Sequence, residues 1–262
     1  MYPLTHLFVS QTVLDRKNAY TILGAVFPDL YNLFGLSHDE GHALSQKLYD
    51  FCAAGDYGEY ALDFARSALT HEKLDVCADE RYDGQKSGYC FQVGACIAPR
   101  LADLCGLPLP QAQWKAHNFI ETGFDIVTLE RNPDLGKSMT ALLPRLETHL
   151  TVDFLADYFR EDAAPIQTAL GSVFRMLCFE EMATRDIIDN FVTQLQKDCS
   201  RSINPGAAAD LVLEAKELAS RGYDAFMEKV IPEIRKDIQQ LSQPTGRSID
   251  YANRQRSGKR SN

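Results

Sequence analysis

The sequence predicts an all-α protein, a multi-helix bundle, and two observations carry that reading. Apolar residues recur at three- and four-residue spacing through nearly every segment, which is the period of one helical face. Alternating β-branched runs bounded by turn dipeptides, the mark of strands, are almost absent. The period places helices at about 4–15, 18–33, 40–54, 57–78, 86–105, 110–130, 136–148, 151–161, 164–199, 206–226 and 227–242. The first carries Leu4, Leu7 and Phe8, and the third carries Leu44, Leu48, Phe51 and Cys52. Gly35 closes the second, Gly55 the third and Gly106-Leu107-Pro108 the fifth, each a stop or turn signal. Pro144, Thr148 and Thr151 set a boundary between the seventh and eighth. The ninth has an apolar stripe of Met176, Phe179, Met182, Ile187, Ile188, Phe191 and Leu195, and stops before Asn204-Pro205-Gly206. The last two read as a helical hairpin.

A chain of 262 residues, 45% of them hydrophobic, can bury a large core. The expected organisation is a helical domain over 1–203, a C-terminal hairpin over 204–243 packed on it, and a tail over 244–262. That tail holds Arg247, Arg254, Arg256, Lys259 and Arg260 against Asp250 among small polar residues, a composition that stays disordered. No repeat of 20–50 residues is evident. The formal net charge of −9 argues against a stable nucleic-acid complex, which needs a basic surface. Seven cysteines, at 52, 77, 90, 96, 105, 178 and 199, form no C-x-x-C pair and read as reduced core thiols. The start, Met1-Tyr2-Pro3, lacks a basic region followed by an apolar stretch. No run of about eighteen apolar residues exists. The expectation is therefore a cytoplasmic protein with no transmembrane segment.

Chemistry is carried by histidine and carboxylate pairs one helical turn apart. His71 precedes Asp75 by four residues, and His117 precedes Glu121 by four. Such residues project from one helix face close enough to share a cation. Imidazole nitrogen and carboxylate oxygen suit zinc or another borderline divalent metal. With six histidines and 36 acidic residues in the chain, about one such pair is expected by accident. A third pair, His149 with Asp153, sits at the predicted helix boundary and is set aside. Further candidate ligands are His6 in the first helix, Asp29 after Pro28 in an apolar stretch, and His38, Asp39 and His42. A buried carboxylate at 29 costs several kcal/mol without a partner; the alternative is that Asp29 caps a helix starting at Leu30.

In order, a histidine in the first helix, a Gly-rich apolar approach to Pro28-Asp29, His42, then His71-x-x-x-Asp75 and His117-x-x-x-Glu121 resemble the zinc-dependent phospholipase C family, whose fold is shared with fungal single-strand nucleases. The stretch from Gly24 to His42 is similar to that of uncharacterised bacterial members. The resemblance spans about residues 1–130. It implies an all-helical bundle holding up to three zinc ions. His6 would bind the ion that the family also ligates through its mature N-terminus, and Asp29 would bridge two ions. His42, His71 and Asp75 would complete the central sites, and His117 with Glu121 would hold the remaining ion. Two departures stand out. No processed N-terminal tryptophan is evident, and the family's histidine shortly after H-x-x-x-D is missing. Asp79 or Asp83 would replace it if the helix continues, because 71, 75, 79 and 83 lie along one stripe.

The expected activity is that of a metal-dependent phosphoric-ester hydrolase. It would use Zn2+, one to three ions, with Mn2+ or Fe2+ as substitutes, on a phospholipid, a nucleotide or a small phosphoester. Metal-activated water would attack phosphorus, with Asp29 or Asp125 as general base. Asp125 continues the His117–Glu121 stripe and would otherwise orient His117. Two alternatives remain. One is an HD-type phosphohydrolase using the His38-Asp39 dipeptide. The other is a non-catalytic helical scaffold whose long apolar stripe serves a partner helix or a homodimer. No G-x-S-x-G elbow or phosphate-cradling Gly-rich loop is present.

Overall fold

In the computed structural model, which describes residues 3–177, 183–199 and 202–241, every regular element is helical. In chain order these are α1 (Pro3–Leu14), α2 (Ala19–Val26), a 3-10 segment (Phe27–Phe34), α3 (His38–His42), α4 (Ser45–Ala54) and α5 (Glu59–Asp75). A π turn (Val76–Glu80) follows, then α6 (Tyr89–Gly94), α7 (Ala98–Cys105), α8 (Leu109–Arg131) and α9 (Asp134–Leu142). A short 3-10 turn (Leu143–Arg145) leads into α10 (Thr148–Phe159), α11 (Ala163–Leu177), α12 (Thr184–Asp198) and α13 (Pro205–Leu241). Among the described residues, no helix is long and apolar enough to cross a membrane.

The first helix is the axis of the bundle. Leu4, Thr5, His6, Leu7, Val9, Ser10, Gln11 and Val13 of α1 are all buried, and the helix packs on α2, α5, α8 and α13. A helix covered on all sides carries no polar face, and its polar side chains must find partners inside. Ser10 shares a 2.5 Å hydrogen bond with Ser67 of α5, whose hydroxyl donates to the Thr21 carbonyl of α2. Both ends of α1 are capped from elsewhere in the chain. The Asp125 carboxylate accepts from the Leu4 and Thr5 amides at the N-terminus. The Arg235 guanidinium donates to the Thr12 and Val13 carbonyls at the C-terminus. The Arg235 charge at the last turn also complements the helix dipole.

The other contacts build outward from this axis. Helix α2 lies along α5, α4 covers the other side of α5, and α6, α7 and α13 pack on α8. Phe27, Phe64, Phe119, Phe124, Phe154 and Phe226 are among the largest fully buried side chains, and rings meet edge-on at Phe27–Phe64, Phe64–Phe154 and Phe124–Phe226. Cys52, Cys77, Cys90, Cys96, Cys105 and Cys199 are free thiols. Cys96 is exposed, contrary to the expectation of a core thiol.

Several expected elements are corrected. The C-terminal hairpin is one helix, α13, because its buried stripe runs unbroken from Ala208 through Ala215, Tyr223 and Val230 to Ile238, with Pro232 inside it. The helix expected over 18–33 becomes α2 plus a 3-10 segment, because Pro28 supplies no amide to continue the α-helical ladder. The single helix expected over 86–105 is divided at Ala95–Ile97, and the one over 40–54 is divided at Ala43–Leu44. The expected helix 164–199 is described as α11 and α12, and residues 178–182 between them lie outside the described set, as does the basic tail.

Candidate metal centre

Two polar clusters gather side chains of metal-ligand type. The first contains His6, Asp29, His42, His71 and Asp75. His6, Asp29 and His71 each bring a donor atom within 4.8 Å of the others, and His42, His71 and Asp75 do the same, sharing His71. His71 Nε2 lies 3.1 Å from Asp75 Oδ2 and 3.5 Å from Asp29 Oδ1. His6 Nε2 lies 3.4 Å from Asp75 Oδ1. His42 stands between the two carboxylates, with Nδ1 at 3.1 Å from Asp75 Oδ2 and Nε2 at 3.6 Å from Asp29 Oδ1.

Each side chain arrives by a different route. His71 and Asp75 occupy the last turn and a half of α5, so their four-residue spacing sets them on one face. Asp29 sits in the first turn of the 3-10 segment, where no side chain makes a cap hydrogen bond. The capping alternative therefore fails, and the Asp29 carboxylate turns to His42 and His71. His42 ends α3, which Ser37 and Glu40 start with a reciprocal capping box. Helix α2 comes close to α5 at Gly24, where any Cβ would collide with the Phe64 carbonyl oxygen and sit 2.9 Å from Ser67 Cβ. That approach delivers the next carbonyl, Ala25, to His71 Nδ1 at 2.7 Å.

A carbonyl can only accept, so His71 carries a proton on Nδ1 and aims Nε2 at the carboxylates. A carbonyl on the far nitrogen is how a metal-binding histidine is held in its tautomer. His71 Nε2 and both ring nitrogens of His6 are shut off from solvent with no hydrogen-bond partner, although carboxylate oxygens lie within 3.5 Å. The two imidazoles stack at 3.5 Å with planes 8° apart. Burial alone would favour the neutral form of His71, but Asp75 and Asp29 outweigh it and raise the ring to about 10. For His6, burial and the neighbouring His71 win and the pKa falls. Burial opposes ionisation of Asp29 and Asp75, yet the His71 charge holds both below the usual carboxylate range. Three imidazoles and two carboxylates are the donor types that suit a borderline divalent cation such as zinc, manganese or ferrous iron, which would take the place of the His71 Nε2 proton.

The second cluster was not read from the sequence as a unit. Asp79 of the π turn, Cys90 of α6 and Glu121 of α8 each bring a donor atom within 4.8 Å of the others. Burial and the Glu121 carboxylate push Asp79 up to about 9, and burial with the same carboxylates pushes the Cys90 thiol well above its ordinary value. Asp83, the other candidate on the expected stripe, is exposed and pairs with Lys229. The π turn ends the α-helical register after Asp75 and so separates 79 and 83 from the 71–75 face.

The remaining candidates lie elsewhere. His117 belongs to neither cluster: its Nδ1 turns back to the Trp114 carbonyl and its ring stacks on Phe91 at 4.3 Å. The i, i+4 spacing sets His117 and Glu121 on one face of α8, but the imidazole does not come within the donor distance of either cluster. Asp125 is also outside both clusters. Its Oδ1 accepts from the Thr5 amide at 2.7 Å and the Thr5 hydroxyl at 2.5 Å, so it caps α1. His38 is largely exposed and Asp39 fully so, and neither joins a cluster. His149 and Asp153 are exposed on α10. Comparison with protein-family models, with curated proteins and with solved structures gave no match.

Proposed function

We propose that the chain is a metal-dependent phosphoric-ester hydrolase of the phospholipase C kind, its bundle related to those of the zinc-dependent phospholipases C and fungal single-strand nucleases. The observation that carries this reading is the convergence of His6, Asp29, His42, His71 and Asp75 from α1, the 3-10 segment, α3 and α5, with His6 Nε2 and His71 Nε2 buried against carboxylates and without a hydrogen-bond partner. A divalent ion held there would supply Lewis acidity and an activated water.

The residues divide the work. His6 and His71 present Nε2 from the dry interior, and Ala25 fixes the His71 tautomer. Asp75 ties His6, His42 and His71 together and serves as the central carboxylate. Asp29 keeps 34% of its side chain exposed, so of the two carboxylates it is the one placed to take a proton from water or substrate. Asp125 is the weaker candidate for general base, because its carboxyl accepts from the first turn of α1. The geometry of His38 and Asp39 gives no support to an HD-type reading.

Metal content and turnover test the proposal together. The purified full-length chain should carry zinc or manganese in stoichiometric amount and hydrolyse bis(p-nitrophenyl) phosphate. His71→Ala should lose both. Metal-free wild type that rejects added zinc overturns the reading, and bound metal without turnover of phosphodiester or phospholipid leaves a metal-stabilised scaffold in its place.

A further inference from the structure

We propose that Asp79, Cys90 and Glu121 form a second metal centre, one with a thiolate ligand, which takes a zinc-type divalent ion. Glu121 and Asp79 stand among the positions that the family resemblance implies and Cys90 does not, so the inference is the donor set with its thiolate, none of which belongs to the first cluster.

Three separate elements bring the donors together. Asp79 comes from the π turn, Cys90 from α6 and Glu121 from α8, and one atom from each lies within 4.8 Å of the other two. Cys90 is fully buried and Glu121 is 4% exposed. Asp79 Oδ1 is shut off from solvent and has no hydrogen-bond partner. The arrangement is held by a backbone approach that only glycine permits. The Gly88 amide donates to the Asp79 carbonyl at 3.1 Å, and a Cβ at 88 would collide with the Asp79 amide and the Ala78 carbonyl. This contact starts α6 against the π turn and carries Cys90, two residues on, to Asp79.

Two carboxyl groups and a thiol buried together repel one another when ionised, and a proton shared between Asp79 and Glu121 still leaves Asp79 Oδ1 without a partner. Protons are one remedy and a dication is the other. A carboxylate–carboxylate–thiolate set favours zinc, cadmium or cobalt over magnesium, because the sulfur is a soft donor. With three protein ligands such a centre keeps a coordination position open. His117, the expected partner of Glu121, lies outside this donor set. Binding involves no redox change. The thiol proton and the carboxyl protons leave to solvent, and sulfur and oxygen lone pairs bond to the ion.

Cobalt supplies the test, because a thiolate bound to Co2+ gives a charge-transfer absorption in the near ultraviolet that imidazole and carboxylate do not. Metal-free full-length protein titrated with Co2+ should develop that band. Cys90→Ser should abolish it, whereas His71→Ala and Cys96→Ser, the latter at an exposed thiol, should keep it. Loss of the band in His71→Ala would place the sulfur in the first centre and overturn the proposal, as would a band that survives Cys90→Ser or never forms in wild type. Should Cys90→Ser lose its helical circular dichroism, Asp79→Asn is read instead. It should weaken the band-forming cobalt affinity at least about tenfold, and unchanged affinity would show a carboxylic-acid pair sharing a proton rather than a metal centre. Failure here leaves the phosphodiesterase assay untouched, so the two readings fail separately.

Discussion

The Asp125 carboxylate accepts the Thr5 amide at 2.7 Å across 120 residues of sequence, and the residue after Thr5 is His6. A group expected to do chemistry instead closes the first turn of the helix that presents a candidate ligand. It also accepts from the Leu4 amide and the Thr5 hydroxyl, and Thr5 leads on through Thr128 to the Tyr223 hydroxyl. Replacing Asp125 with Ala leaves buried donors without an acceptor, at about 3 kcal/mol in stability. Urea denaturation reads that loss directly. A loss of phosphodiesterase turnover in folded Asp125→Asn, with metal content and stability intact, would return Asp125 to a catalytic role.

The same carboxyl gives stability a pH signature. Burial raises Asp125 to about 7, against the hydrogen bonds from Thr5 and Leu4. The native state thus keeps its proton to about pH 7, while the unfolded chain releases it near about 4. Between those values the unfolded state binds fewer protons, so stability falls as pH rises and levels off above about 7. The slope amounts to no more than about 4 kcal/mol in total. Denaturation of chelator-treated protein from pH 4 to 8 should show that decline, and Asp125→Asn should flatten it; identical slopes in the two proteins would assign the pH dependence to other groups.

Metal removal should be felt throughout the bundle. The first cluster links α1, the 3-10 segment, α3 and α5, and an ion binding only the folded state stabilises it by about 2.7 kcal/mol at a hundredfold excess over its dissociation constant. Dialysis against a chelator should lower the melting temperature, and zinc should restore it. In His71→Ala, zinc should restore much less. An equal zinc response in that variant would move the stabilising ion away from the first cluster.

How much of this was legible in the sequence follows from which contacts are local. The helical period runs along single segments, so the all-α class was readable from Leu44, Leu48 and Phe51 alone. His71 and Asp75 were readable as a pair because both stand on α5. His6, Asp29 and His42 carry no local mark, and only their order along the chain suggested a common site. Asp79, Cys90 and Glu121 are eleven and thirty-one residues apart on three elements, and the π turn that re-aims Asp79 has no signature in composition. Pro28 lies inside the expected helix 18–33 and ends the α-helical ladder there, whereas Pro232 lies inside a continuous helix. Tertiary burial decides between these outcomes, with α13 held by its long stripe against α8.

The exposed His38-Asp39 dipeptide gives a sharp negative control. Among the described residues the exposed Asp39 side chain meets its neighbour His38 at 3.3 Å and takes no part in the Ser37–Glu40 capping box, and exposed substitutions of this kind change stability within about 0.5 kcal/mol. Asp39→Ala should therefore leave metal content, turnover and melting temperature unchanged. A loss of bound metal in this variant would reinstate the HD-type reading.

Gly24 links packing to the candidate centre through one backbone atom. A methyl group there meets the Phe64 carbonyl and Ser67 Cβ, both on α5, and neither can swing aside as a flexible side chain would. Helix α2 must then move away from α5, at about 1–3 kcal/mol for such overpacking. The displaced atom that matters is the Ala25 carbonyl, which holds His71 Nδ1 at 2.7 Å. Loss of an orienting hydrogen bond of this kind weakens metal binding by about 10- to 100-fold. Gly24→Ala should accordingly reduce both unfolding free energy and zinc affinity, even though residue 24 touches no ligand. Ala61→Gly, at a buried position of the same helix α5 away from His71, should lower stability by about 1 kcal/mol with zinc affinity unchanged. If both variants lost affinity in proportion to stability, the Ala25–His71 hydrogen bond would have no separate part in holding the ion.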